Sequence, residues 1–265
     1  MYRSWGLSFL SSFAALAVLP ISQSAANLVV FSDDFDTGPV TSSGVSGSYS
    51  GEVNVNPVGG YAGVGSGANQ FGGNFLQNMT GGVPTIGTAG LQTTLTLTNL
   101  PAHTSIDLDF LLATIDSWDG IDGASGVTGD YFNVHVDGQS VFRDTFAQSS
   151  GFPTNAYQAP SGGKLLPGTS HVFGIVTPDG AWDMSLDPLL SNIPHTGSTL
   201  VIDIFADGPG WQGARDFSQG VGGPDEGWAI DNLSVTIDAV PEPSAATCCL
   251  AILALACTCR TSRTA

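Results

Sequence analysis

The sequence predicts an all-β protein built as a single β-sandwich, and three observations carry that expectation. Between residues 27 and 239 no stretch holds a 3.6-residue apolar period, whereas short segments of alternating apolar and polar residues recur. Clusters of Gly, Pro, Asn and Asp, the residues of tight turns, separate those segments. No repeat near the period of a propeller blade is present, so about ten short strands point to one two-sheeted body of jelly-roll type.

The first candidate strands are LVVFS (28–32), EVNVN (52–56) and LQTTLTL (91–97). In SIDLDF (105–110), Ile106, Leu108 and Phe110 alternate with Asp107 and Asp109, which sends the two sets to opposite faces. In DYFNVHV (130–136), Phe132, Val134 and Val136 face one way, Asn133 and His135 the other. Asp137-Gly138 and SVFRDTF (140–146) then complete a hairpin whose glycine accepts a positive φ. HVFGIVT (171–177), LVIDIFA (200–206) and WAIDNLSVTI (228–237) close the set. Residues 58–90, with 11 glycines in 33 positions, read as mostly loop. In the last segment Trp228 and Ile230 share one parity, while Leu233, Val235 and Ile237 share the other. The phase slips at Asp231-Asn232, as a β-bulge requires.

The two ends differ from this body. Residues 1–26 have the layout of a secretory signal peptide: an early Arg3, an apolar stretch from Leu7 to Pro20, then small residues up to Ala26. Export with cleavage after Ser24 or Ala26 is expected, in preference to a retained first helix. Twenty-two of the 23 acids but only three of the six bases, Arg143, Lys164 and Arg215, lie between residues 27 and 240, a net charge of −19. Such a surface repels phosphate backbones and anionic lipid, which argues against nucleic acid as a partner, and it attracts cations. Cys248, Cys249, Cys257 and Cys259 all lie beyond the body, so the body folds without disulfides. Their spacing and the lack of a nearby His argue against a zinc site.

The C-terminal segment, 240–263, carries the clearest motif. Ala245 to Cys259 is an apolar run of 15 residues. As a helix it spans roughly 22 Å, short of a hydrocarbon core of about 30 Å. Arg260 and Arg263 follow and would stay on the cytoplasmic side, which predicts a transient hold on the inner membrane with the body outside. Val240-Pro241-Glu242-Pro243, the apolar run and the terminal arginines together resemble the PEP-CTERM sorting signal of Gram-negative bacteria. The resemblance covers about 25 residues and implies recognition near Pro241, Glu242 and Pro243 by an exosortase-type membrane transpeptidase, in species that make exopolysaccharide. The cysteines in the run depart from the usual Leu-, Gly- and Ala-rich tails.

Two acidic groupings are candidate calcium sites. Asp116, Asp119, Asp122 and Asp130 share one Gly-rich loop without Lys or Arg, and calcium takes six to eight oxygens from such flexible loops. The spacing is not that of an EF-hand, and the same residues serve equally well as turn formers. The second grouping joins the ends of the body: Asp33, Asp34 and Asp36 in FSDDFDT, with Asp231 on the bulge. This resembles jelly-roll carbohydrate-binding modules, and the resemblance implies Asp34 or Asp36, together with Asp231, as ligands of a structural calcium. The alternative is that Asp231 and Asn232 only bond the bulge backbone.

Trp118 and Trp211 stand in Gly- and Asp-rich loops, where an exposed indole would stack on a sugar ring, the alternative being that both pack back onto the end of the sandwich; Trp228 alternates with Ile230 and reads as core. No nucleophile elbow, zinc-protease helix or phosphate loop is present, and His103, His135, His171 and His195 are scattered. The resulting expectation is an exported, non-catalytic protein of the cell surface or extracellular polysaccharide matrix, held by calcium and binding carbohydrate. A polysaccharide-cleaving enzyme on the same scaffold, with two carboxylates across a groove, and a self-assembling adhesin are the alternatives.

Overall fold

The computed structural model describes residues 26–78, 92–116, 118, 120–121, 129–147, 156–166, 179–209, 211 and 226–240. Among them the chain is all-β, with three short 3-10 turns and no α-helix. The expected helices at the two ends and the expected strand at 171–177 lie outside the described residues. The strands are β1 (Ala26–Asp33), β2 (Val40–Thr41), β3 (Ser46–Gly51), β4 (Asn54–Pro57), β5 (Gly65–Ser66), β6 (Asn69–Gln70), β7 (Asn74–Asn78) and β8 (Thr93–Thr98). They continue as β9 (His103–Asp116), β10 (Tyr131–Val136), β11 (Gln139–Thr145), β12 (Gly180–Asp183), β13 (Ile193–Pro194), β14 (Thr199–Asp207) and β15 (Glu226–Ala239).

Every pairing is antiparallel. An eight-stranded sheet runs β12-β9-β15-β1-β2, with β13 added to β9, β7 to β15 and β4 to β7. A five-stranded sheet runs β11-β10-β14-β8-β3, and β5 and β6 form a small ribbon. The alternation read from the sequence sets which faces meet. Ile106, Leu108 and Phe110 of β9 and Val235 and Ile237 of β15 join Leu95, Leu97, Phe132, Val134, Ile202 and Ile204 of the five-stranded sheet in one continuous core. The β10–β11 turn has Asp137 at φ 50° and Gly138 at φ 75°, the paired positive values that match a twisted two-residue hairpin.

A second core lies on the outer face of the larger sheet. Tyr61, Phe71 and Phe75 cover Leu111, Ala113 and Ile115 of β9 and Ala229 of β15. Residues Phe110 to Ile115 are consequently buried one after another, with no alternation. The expectation that residues 58–90 are mostly loop is corrected for 58–78: they form a 3-10 turn, the β5–β6 ribbon and β7. Glycine serves close backbone approach there. A Cβ on Gly65, at φ 129°, would stand 2.3 Å from Asn69 O.

Phe132 packs edge-on against Phe142, Phe146 and Trp228 at centroid separations of 6.4, 6.5 and 5.6 Å. Phe132→Ala opens a cavity at the point where the two sheets meet. Denaturant unfolding is expected to show a loss of about 3–5 kcal/mol.

Candidate functional site

The last strand has different neighbours along its two halves. On one edge β15 follows β9 for most of its length; on the other, Trp228 to Ile230 pair with β7, and Leu233 to Ala239 pair with β1. The register shifts between Asp231 and Ser234, and Asn232 takes φ 53°, a left-handed value that Asn tolerates better than most residues. The bulge expected from the sequence is therefore present. It falls at the junction where β1 ends at Asp33 and β7 begins at Asn74.

Carboxylates tie this junction together. Asp231 accepts the N–H of Gly72 on Oδ2 at 3.0 Å and the N–H of Asn232 on Oδ1 at 2.7 Å. Asn232 Nδ2 donates to Gln70 O at 3.0 Å and Asn69 Oδ1 at 3.1 Å. Across the gap Asp36 Oδ1 accepts both the N–H of Asn74, at 2.8 Å, and its Nδ2–H, at 2.9 Å. Asp34 Oδ1 accepts from the backbone of Asp36 and Thr37, and Asp33 Oδ1 from that of Phe35. The approach is close: a Cβ on Gly73 would meet Asp36 Oδ1 at 2.0 Å. Asp33, Asp34, Thr37 and Asn232 also line a half-open cleft beside the junction.

Burial governs the electrostatics. Asp231 is 1 % exposed, and desolvation pushes its carboxyl up to about 7; the Gly72 and Asn232 N–H groups pull the other way, while Asp36 and Asp34 add repulsion. Asp33 is also raised, chiefly by burial and secondarily by Asp34. The described basic side chains of the body are engaged elsewhere. Arg143 pairs with Asp207 and lies 4.0 Å from the Tyr131 ring centre, and Lys164 sits 5.1 Å over Trp182.

The structure thus gathers Asp34, Asp36 and Asp231 at one junction, and each makes backbone bonds there. The hydrogen bonds to Asp34 and Asp36 fall on Oδ1 of each. In kind these hard, anionic oxygens suit calcium. Among the described residues, no three acidic, histidine or cysteine side chains stand as one metal shell.

The loop grouping is only half described, since Asp119 and Asp122 lie outside the described residues. Asp116 ends β9 at φ 65°, donates its N–H to Asp179 Oδ1 at 2.9 Å and sits opposite Glu226. Asp130 is fully buried, as are Asp179 and Glu226. Sequence reasoning missed Asp179 and Glu226 as neighbours of Asp116, because only strand pairing brings positions 63 and 110 residues away to it.

Trp118 and Trp211 require a correction as stacking platforms. They are 1 % and 2 % exposed, pack against each other at 5.2 Å, and Trp118 Nε1 donates to Gly227 O at 2.7 Å. Both indoles belong to the main core, where Trp118 also packs edge-on against Phe146 at 5.9 Å, so burial wins over display. Trp228 is core, as expected. Pro241, Glu242, Pro243, Arg260 and Arg263 lie outside the described residues, and among those described no helix is long and apolar enough to cross a membrane.

Fold and junction define the class of this chain: an acidic, multi-sheet, all-β protein whose first and last strands are neighbours. No protein-family model and no curated protein matches it. Among solved structures it is similar to the catalytic domain of a GH87 alpha-1,3-glucanase in complex with nigerose, at 17 % identity and a TM-score of 0.26, over 84 % of this chain and 30 % of that one. It is also similar to the structure of infectious bursal disease virus Gx strain, at 14 % identity and a TM-score of 0.24, over 77 % and 35 %. The chain spans about a third of either structure, and superpositions this loose carry no argument for its fold family or function.

The raised Asp231 carboxyl makes stability depend on pH. In the unfolded chain this group titrates near 3.8 and in the folded protein near 7, so the folded state is favoured while the proton is held. That advantage declines as pH rises through this interval and is absent above it. Relative to Asp231→Asn, the unmodified protein is expected to lose roughly 2–4 kcal/mol between pH 4.5 and pH 8 in urea unfolding without divalent ions.

Proposed function

We propose that this chain is an exported, non-catalytic protein of the cell surface or polysaccharide matrix, a jelly-roll β-sandwich held by calcium at the junction of its first and last strands. The observation that carries the reading is that junction. Asp33, Asp34, Asp36 and Asp231 are concentrated there, two of them with carboxyls raised by burial, and neither Arg143 nor Lys164 is placed to neutralise them. Asp34, Asp36 and Asp231 do not form a metal shell as they stand; with their carboxyls drawn together they would hold the ion, whose chemical contribution is charge neutralisation and crosslinking of β1, the 69–74 segment and β15.

The sandwich assignment is supported by the way successive strands change sheets. β1 is in the larger sheet, β3 and β8 in the smaller, β9 in the larger, β10 and β11 in the smaller, β12 in the larger, β14 in the smaller and β15 in the larger. Export and delivery by an exosortase-type transpeptidase rest on residues 1–26 and on the Val240 to Arg263 segment. Retention in extracellular polysaccharide rests on the resemblance of residues 240–263 to a PEP-CTERM sorting signal.

A thermal melt in EDTA and then in millimolar calcium tests the metal. Ligand at about 100 times its dissociation constant stabilises by roughly 2.7 kcal/mol, a rise of about 5–10 °C for a domain of this size. The rise is expected to vanish in Asp231→Asn and Asp36→Asn but to survive Asp116→Asn. An unchanged melting temperature removes calcium from the reading. Failure of the protein to be retained on the host polysaccharide, in calcium or in EDTA, removes the binding role.

A further inference from the structure

Two histidines 92 residues apart meet where the last strand leaves the sheet. His103 opens β9 opposite Ala239, and His195 follows β13. His103 Nδ1 lies 2.6 Å from Pro101 O, and His103 Nε2 lies 2.6 Å from His195 Nδ1. A carbonyl only accepts, so His103 Nδ1 carries the proton of its ring. Its Nε2 is then the acceptor, and His195 Nδ1 carries the proton between the rings. Two neutral imidazoles supply two N–H groups, and these two bonds use both. His195 Nε2 is left as a bare lone pair.

That nitrogen is buried, and among the described residues it has no hydrogen-bond partner. The His195 side chain is 5 % exposed. A carboxylate nevertheless stands beside it: Asp137 Oδ2 is 3.1 Å from Nε2. Asp137 lies in the β10–β11 turn and is fixed there by β14. Its N–H donates to Val201 O at 2.8 Å, and its Oδ1 accepts the Val201 N–H at 2.9 Å. Oδ2 is therefore the oxygen presented to the imidazole. Two lone-pair atoms at this distance repel each other, and a buried acceptor without a donor is costly.

We propose that His195 Nε2 and Asp137 Oδ2 form a binding site for a zinc-class divalent metal. A cation shared by the two atoms removes both costs at once. An imidazole nitrogen with a carboxylate oxygen is a donor pair for zinc, copper or nickel, whereas calcium takes oxygens. The spacing also fits. With metal–ligand bonds of about 2.0–2.1 Å, the 3.1 Å span subtends about 95–100° at the metal, between an octahedral and a tetrahedral angle.

The surroundings complete the site. His103 is a positioning residue: by accepting the His195 Nδ1–H it sets the tautomer that offers Nε2 to the ion. Gly197 keeps space beside that nitrogen, since a Cβ there would stand 3.3 Å from Nε2 and 3.0 Å from Thr199 O. The Asp137 carboxylate is 46 % exposed, which gives a hydrated ion a way in. Among the described residues no third acidic, histidine or cysteine side chain joins the pair, so water fills the remaining positions. The ion would tie the β10–β11 turn to the segment after β13. Val240, the last described residue, donates its N–H to Ala102 O beside His103.

Long-range 15N–1H spectra of the histidine-labelled protein, taken at about pH 7.5 through a zinc titration in millimolar calcium, test the site. Before zinc, His195 is expected to carry its proton on Nδ1 and none on Nε2. Zinc is expected to move the His195 Nε2 resonance at a lower concentration than any other ring nitrogen. Asp137 sits at φ 50°, which Asn tolerates, so Asp137→Asn keeps the turn and is expected to raise the zinc Kd about tenfold or more. A proton on Nε2 before zinc, a His195 resonance that zinc leaves unmoved, or an unchanged Kd in Asp137→Asn each overturns the proposal. The readout is a histidine nitrogen, which calcium does not ligate, so the outcome is independent of the carboxylate junction at the bulge.

Discussion

The pairing of β9 with β15 is the constraint on which the rest of this structure depends. Both strands are 14 residues long, and they hold together from Glu226 opposite Asp116 to Ala239 opposite His103. One half of the seam is covered on both faces, by the main core inside and by the aromatic flap outside. A backbone pair buried on both faces must satisfy every N–H and C=O within the sheet, which leaves it little freedom to slip. The other strands of the larger sheet are added to the edges of this pair.

The bulge in β15 follows from that burden. Its first half must pair with β7 beneath the flap, and its second half with β1, and these two partners run in the same direction, β1 ending where β7 begins. One irregular step, at Asp231-Asn232, lets both ladders form. The N–H groups left over where β1 and β7 end need acceptors, and a short carboxylate supplies them within a confined space. The cost is a buried charge, since each added Asp in the junction raises the price of ionising the next. Local backbone satisfaction and electrostatic strain therefore have the same origin here.

At the opposite end of β15 the same seam meets a different chemistry. His103 and His195 bridge the start of β9 and the segment after β13 through a ring-to-ring contact, Nε2 to Nδ1 at 2.6 Å. The last described strand thus carries a carboxylate junction at its bulge and a buried histidine contact beside its end.

By itself, the sequence determined the periodicity and hence the class. Alternation at Ile106, Leu108 and Phe110, and at Phe132, Val134 and Val136, read out the inner faces correctly, because strand side chains have a fixed period of two. Asp137-Gly138 marked its turn, and the parity change at Asp231-Asn232 marked its bulge, since both are local in the chain. Tertiary structure decided what depends on distance along the chain. Trp118 and Trp211 stand among residues that read as loop, yet the aromatic cluster at the end of the core takes them in. Residues 58–78 look too rich in glycine to order, yet Tyr61, Phe71 and Phe75 find a sheet face that no local pattern announces. Asp36 and Asp231 share a junction, and His103 and His195 come into contact, because strand pairing closes sequence separations that composition and spacing do not register.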